Sequence, residues 1–202
     1  MIPAAENGHA PELPYEQGVI HGRFQILHND HLKYLLAGKA LCKHLIVGIT
    51  NPDPLLTREE ETDRLRSTKE ANPLTYFERY TLVTQTLLSS GLTANDFSVI
   101  PFPVNLPELY FHYVPRNAVF FVSIYDDWGR KKRDLFLNLG LETHVLWEVS
   151  LEQKGISAAD IREAMIADLP WEHLVPACVA DQIKAWRIPL RLKKSGIRPF
   201  RA

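Results

Sequence analysis

Apolar residues in this chain alternate between short unbroken runs and longer stretches where they return every three or four positions. The unbroken runs are 18–22 (Gly-Val-Ile-His-Gly), 44–50, 97–101, 118–122 and 143–147. Runs of this length without polar alternation suit strands buried on both faces. Between them the spacing turns helical. Leu32, Leu35, Leu36 and Leu41 follow Asn29, which can cap a helix start. Phe77, Tyr80, Val83, Leu87 and Leu88 mark a helix over 75–88, with Gly91 as its stop. A further helix is expected at about 129–138, and two or three more close the chain, starting at Ser157 and near Trp171. The first strand–helix–strand unit is short enough that a parallel crossover is the economical reading. Strands alternating with helices predict an α/β fold: a doubly wound, Rossmann-like parallel sheet with helices on both faces. Ligands of such sheets sit beyond the C-terminal ends of the strands.

Three segments interrupt the pattern. Residues 1–16 hold three prolines and one glycine with little periodicity, and read as a flexible arm. Residues 51–73 carry Pro52, Pro54 and Pro73, with five acids and four bases between Thr57 and Glu70. This is either a solvated charged segment or a mobile loop that closes over a ligand. From 189 to 202 the chain is a basic tail. One domain, 17–188, lies between arm and tail.

Composition narrows the class. The 202 residues are 46% hydrophobic and 23% charged, with net charge −1. That balance suits a globular protein and offers no global basic field for nucleic acid. No apolar run approaches the roughly 20 residues of a membrane span. The first ten residues have neither a basic start nor an apolar stretch, so no signal peptide is expected. Cys42 and Cys178 stand far apart outside any CxxC pattern, which fits a reducing cytoplasm.

Candidate chemistry concentrates at two places. The first strand exits through Gly22-Arg-Phe-Gln-Ile-Leu-His-Asn-Asp-His31. Gly22 permits close ligand approach, and Arg23 is a cation at the strand end. His28 and His31, three apart, share the face of a helix start, where free N–H groups and the helix dipole favour an anion. Two surface histidines on a polar helix start would satisfy the same spacing. The second place is Gly155-Ile-Ser-Ala-Ala-Asp-Ile-Arg162. Ser157 is a natural N-cap with Asp160 three residues on, and Arg162 lies one turn in. Hydroxyl, free N–H groups and guanidinium can converge on phosphate oxygens, although a capped helix with an arginine is also a common structural unit. The run Arg130-Lys-Lys-Arg133 is either a solvated helix face or an attractor of phosphate substrates.

Taken together, the two places resemble a known pattern. Gly22-Arg-Phe-Gln…His28-Asn-Asp-His31 resembles the HxGH signature of the nucleotidyltransferase superfamily. Ile156-Ser-Ala-Ala-Asp-Ile-Arg162 resembles that superfamily's second signature. The GRFQ form, with Asn72–Arg79 and Trp171–Pro176, is most similar to archaeal-type nicotinamide-nucleotide adenylyltransferases, and the matching stretches run from about residue 18 to 188. The resemblance implies a nucleotidyltransferase-type sheet and transfer of AMP from ATP to a phosphorylated acceptor such as nicotinamide mononucleotide, giving NAD and pyrophosphate. It implies Mg²⁺ on the polyphosphate and assembly into a homo-oligomer. His28, His31, Arg23 and Arg162 would be the catalytic set, with Gly22, Phe24, Ile156 and Ser157 completing the nucleotide site. For the acceptor it points to Tyr110, Phe111, Asp126 and Trp128. Core packing for the first two rings, and a turn and helix cap around Asp126, are the competing roles.

Three departures from the family pattern bear on chemistry. Ile26 replaces a proline, and Asp30 replaces the glycine before the second histidine. Asp30 either points away from the nucleotide, helps hold Mg²⁺, or marks a decayed motif. After the fourth strand, 123–129 lacks the Gly-Asn-Pro-like segment that reads nicotinamide. The same chemistry with CTP in place of ATP or with a different phosphorylated acceptor, or a non-catalytic nucleotide sensor, are therefore the alternatives.

Overall fold

The computed structural model describes residues 13–54, 71–150 and 155–194, with only the backbone of Trp128. The expected arm up to residue 12, loop residues 55–70 and the tail from 195 lie outside the described residues. Five strands, β1 (Tyr15–Gly22), β2 (Cys42–Thr50), β3 (Phe97–Phe102), β4 (Val119–Ile124) and β5 (Thr143–Glu148), form one sheet in the order β3-β2-β1-β4-β5. Every pairing is parallel. The sheet is the Rossmann-like one expected. From β1 the chain winds outward through β2 and β3, then returns across the sheet to β4 on the other side of β1. The strand order therefore reverses between β1 and β4, where an open α/β sheet leaves a crevice.

Alternation along the strands builds two cores. Val19, Ile46, Phe120 and Val122 face a layer that includes Tyr110 of α3 (Tyr110–Tyr113) and Phe136 of α4 (Asp127–Asn138). Ile20, Leu45, Val47 and Phe121 face the opposite layer. That layer holds Leu35 of α1 (Asn29–Lys39), Leu82 of α2 (Tyr76–Ser89) and Ile161 of α5 (Ala158–Ile166). Ile183 of α6 (Ala177–Ala185) and Leu192 of α7 (Ile188–Lys194) complete it. Each fully buried Leu or Ile contributes about 1.5–3 kcal/mol of transfer free energy. Among the described residues no helix is long and apolar enough to cross a membrane.

The structure differs from the sequence reading in five places. First, α1 is capped by His28, so Asn29 is its first helical residue. Second, α2 buries Arg79, Leu82, Val83, Thr86 and Leu87, while Phe77 is 72% exposed and Leu88 46%. The helical period was legible, but its phase was not, because a polar side chain occupies the inner face. Third, the basic tail begins as α7. Ile188 and Leu192 are buried, and Arg191 grips Glu78 of α2 through two bonds of 2.6 and 3.0 Å. Fourth, α3 and the 3-10 turn before it (Pro107–Leu109) fall in a stretch to which the apolar pattern assigned no element. Fifth, β1 starts at Tyr15, within the expected arm.

Candidate active site

The turn leaving β1 is held from several sides. Phe24 has φ +52°, an uncommon conformation for a residue with a side chain. Its buried ring folds back over Gly22, where an added Cβ would lie 3.0 Å from the ring tip. Gly22 is thus the clearance that lets the turn close. The buried Gln25 side chain copies a strand pairing with Leu74: its amide donates to the Leu74 carbonyl (3.0 Å) and its oxygen accepts from the Leu74 N–H (2.8 Å). Two buried guanidiniums grip the turn's carbonyls. Arg79 Nη1 donates to the carbonyls of Arg23 (3.0 Å) and Thr50 (2.6 Å), and Nη2 to that of Asn51 (2.8 Å). Arg162 Nη1 donates to the carbonyl of Gln25. Ile26, in place of the motif proline, is a fully buried core residue.

Arg79 thereby ties the C-terminal ends of β1 and β2 to the start of α2, and burial pushes its guanidinium pKa down to about 10. Sequence reasoning assigned it no task. The available signal was its position three and four residues before Leu82 and Val83, on the apolar face of its own helix.

His28 and His31 cap the first turn of α1 reciprocally. His28 Nδ1 accepts from the His31 N–H (3.4 Å), and His31 Nδ1 accepts from the His28 N–H (3.3 Å). A histidine pair thus performs what Ser and Glu do in a capping box. Their rings stack with centroids 3.6 Å apart, and Phe24 meets the His31 ring edge-on. Since each Nδ1 is an acceptor, this network assigns the proton of each neutral ring to Nε2. Burial lowers the His28 pKa to about 4. Burial, with the neighbouring His28 and Arg23, holds His31 well below the ordinary histidine value. Near neutral pH both rings are neutral N–H donors. The positive charge of the site comes from arginine and lysine.

Asp30 does not merely turn away. Its Oδ2 accepts from the Ile156 N–H at 2.7 Å, joining the start of α1 to the segment before α5. Gly155 makes room, since a Cβ there would lie 2.2 Å from the same oxygen. Ser157 caps α5 by accepting from the Asp160 N–H (3.2 Å), one half of the expected reciprocal pair. Asp30 thus holds together the two motifs that the sequence presents 126 residues apart.

These groups line one cavity of about 350 Å³ above the β1–β4 crevice. Its described charged lining consists of Arg23, Lys132 and Arg162 against Asp30 and Asp126. Gly22, Phe24, His28, His31, Ile156 and Ser157 also line it, so the structure collects every nucleotide-site residue named from sequence. The acceptor candidates separate. Asp126 lines the cavity and caps α4, accepting from the Gly129 N–H at 2.9 Å. Tyr110 is a core residue, 1% exposed, with its hydroxyl on the Val104 carbonyl. Phe111 lies outside the described lining, its ring beneath Arg116. Trp128 is in α4, and its side chain is outside the described residues. The basic run of α4 divides: Lys132 lines the cavity, while Arg130 pairs with Asp127 and Glu148, and Arg133 with Asp134.

His21 also lines the cavity. It is 8% exposed, its ring lies against Phe102 and Phe136, and neither ring nitrogen has a hydrogen-bond partner. Leaving a buried polar group unsatisfied costs about 1–3 kcal/mol. Sequence reading gave His21 no role. Among the described residues no group of three or more His, Cys, Asp or Glu side chains could hold a metal ion.

Known proteins resemble this chain in sequence and in fold. Residues 19–164 match the cytidylyltransferase-like family. The chain is 47% identical over 176 residues to a phosphonoformate cytidylyltransferase of Streptomyces viridochromogenes, covering 87% of this chain and 95% of that protein. It is 29% identical over 183 residues to a nicotinamide-nucleotide adenylyltransferase of Thermococcus kodakarensis, covering 88% and 87%. Among solved structures, a bifunctional NMN adenylyltransferase/ADP ribose pyrophosphatase from Francisella tularensis, complexed with AMP and a manganese ion, matches with a TM-score of 0.59 at 12% identity. That match covers 91% of this chain and 52% of the other, about half its length, and is a likeness of fold.

Proposed function

The chain belongs to the cytidylyltransferase-like family and is a nucleotidyltransferase, and from that premise we propose that it transfers CMP from CTP to a small acceptor bearing a phosphonate or phosphate. The observation that carries this reading is the 47% identity to a phosphonoformate cytidylyltransferase across nearly the whole of both chains. Two features of the site support it: Tyr110 sits in the core, and Phe111 lies outside the described lining, so neither is placed to stack on a nicotinamide.

An ionised oxygen of the acceptor bonds to the α-phosphorus, the bond from that phosphorus to the α–β bridging oxygen breaks, and pyrophosphate departs with the electron pair. The nucleophile is already an anion, so no side chain has to remove a proton. Catalysis is then positioning and stabilisation of charge. Arg23 and Arg162 supply charge, His28 and His31 supply neutral Nε2–H donors, and Ser157 brings the free N–H groups of α5 toward the polyphosphate. Donors of this kind are worth roughly 3–4 kcal/mol each in other enzymes. Mg²⁺ would neutralise the triphosphate and lower the charge on the departing pyrophosphate. Among the described residues no group of three or more His, Cys, Asp or Glu side chains could hold the ion, and one Asp30 oxygen accepts from Ile156, so in this reading the triphosphate would carry it.

A second reading keeps the chemistry and uses ATP with nicotinamide mononucleotide. The adenylyltransferase of Thermococcus kodakarensis, 29% identical across 88% of this chain, favours it. The deciding experiment is pyrophosphate release with Mg²⁺, offering CTP or ATP against phosphonoformate, nicotinamide mononucleotide and a panel of small phosphates, with His31→Ala as control. Release from CTP with a small phosphonate or phosphate, lost in the control, is the expected result. Release only from ATP with nicotinamide mononucleotide would establish the second reading. Nucleotide binding without release from any pair would favour a sensor.

A further inference from the structure

Resting on the reading above, we propose that His21 and Lys132 form an oxyanion pocket that selects acceptors carrying a carboxylate close to the reacting phosphonate or phosphate. Three observations on separate elements converge. His21 is a buried histidine on β1 that lines the cavity and has both ring nitrogens unpartnered. Lys132 enters the same cavity from α4, one turn beyond Gly129, which also lines it. Asn105, on the connection after β3, adds an amide to the lining.

Packing alone does not account for a histidine at this position. Its ring sits among Phe102, Phe136 and the strand backbone, where phenylalanine would fill similar space and leave no nitrogen stranded. Burial and the nearby Lys132 hold its pKa well below the ordinary value, so the ring is neutral in the free protein. A neutral imidazole donates one N–H, and an ammonium supplies the charge. Together they match a carboxylate, which accepts on two oxygens and carries one negative charge.

The position also sets a size. His21 precedes Arg23 by two residues on the strand that leads into the turn, so the two Cα atoms are separated by roughly 7 Å. A reacting phosphonate near Arg23 and a second oxyanion near His21 therefore belong to one compact molecule. Nicotinamide mononucleotide, whose second end is a cationic pyridinium ring, gives this pocket no oxyanion to hold.

The test compares two acceptors that differ only at this point, phosphonoformate and methylphosphonate, with wild type, His21→Phe and Lys132→Met. Pyrophosphate release is measured beside calorimetric binding of each acceptor. His21→Phe should melt at or above the wild-type temperature, since it removes an orphaned polar group. It should raise KM and Kd for phosphonoformate at least tenfold and leave the KM of CTP and all values for methylphosphonate within about twofold. Lys132→Met should do the same for phosphonoformate. Equal losses for both acceptors, or unchanged phosphonoformate binding in both variants, would overturn the pocket. So would a wild type that binds no phosphonoformate. If the wild type binds phosphonoformate through His21 and Lys132 yet releases no pyrophosphate, the pocket stands and the proposed reaction falls.

Discussion

Replacing Arg79 with methionine should loosen the strand ends that carry the site. The substitution keeps the unbranched stem and removes the guanidinium. Lost with it are bonds to the carbonyls of Arg23, Thr50 and Asn51 at 3.0, 2.6 and 2.8 Å, and a weaker one from Nε to the Thr75 carbonyl at 3.3 Å. A hydrogen bond to a charged group is worth about 1.5–3 kcal/mol net. Four would sum to roughly 6–12 kcal/mol, but burying a guanidinium costs several kcal/mol in return. The surplus, about 3–5 kcal/mol, is the expected destabilisation. At about 2–4 °C per kcal/mol for a domain of this size, the melting temperature should fall by roughly 6–20 °C. Urea unfolding gives the free energy directly, and nucleotide titration reads the site. Nucleotide affinity should weaken as well, because two of those carbonyls belong to the turn and strand end beneath the cavity. Arg79→Lys should recover only part of the loss, since one ammonium cannot span the carbonyls a planar fork reaches. A loss under about 1 kcal/mol with an unchanged urea slope would refute the clamp.

Two other perturbations test the joints of the site. Asp30→Gly restores the motif glycine and removes the bond to Ile156, so stability should fall by about 1–2 kcal/mol in thermal unfolding, partial exposure discounting the full value of a charge-assisted bond. The Mg²⁺ titration midpoint of the reaction should stay in place, and a tenfold shift would return the carboxylate to the ion. Stability should also depend on pH through the buried histidines. His28, near 4, and His21 and His31, both well below the ordinary value, bind fewer protons folded than unfolded. Protons are therefore taken up on unfolding. Stability should be level above about pH 6.5 and fall as pH drops toward 4, by up to about 1.4 kcal/mol per unit for each histidine. His28→Asn, which can still cap α1, should reduce that slope by one proton. Equal unfolding free energies at pH 7 and pH 5 would contradict the assignment.

The fold was legible because burial on both faces writes itself as unbroken apolar runs. Residues 44–50 and 118–122 could hardly be anything but inner strands, and β2 and β4 are where those runs are. Helix phases were less legible. Arg79 is fully buried and Phe77 exposed, the reverse of what their polarity suggests, because carbonyls at the strand ends repay a buried guanidinium. Residue types alone do not show which carbonyls will be left without partners.

The sequence by itself determined the parallel α/β architecture, and it marked two motifs, one at the exit of β1 and one at the start of α5, as candidates for holding phosphate. These are carried by local patterns of apolar period, capping residue and short-range spacing. Tertiary structure decided how the motifs are joined and what faces them. Asp30 meets Ile156, Arg162 meets Gln25, and His21 and Lys132 reach one cavity from β1 and α4 only once the sheet has brought them together. Such contacts depend on which groups remain unpaired after the chain has folded, and pairing across more than a hundred residues leaves no trace in spacing.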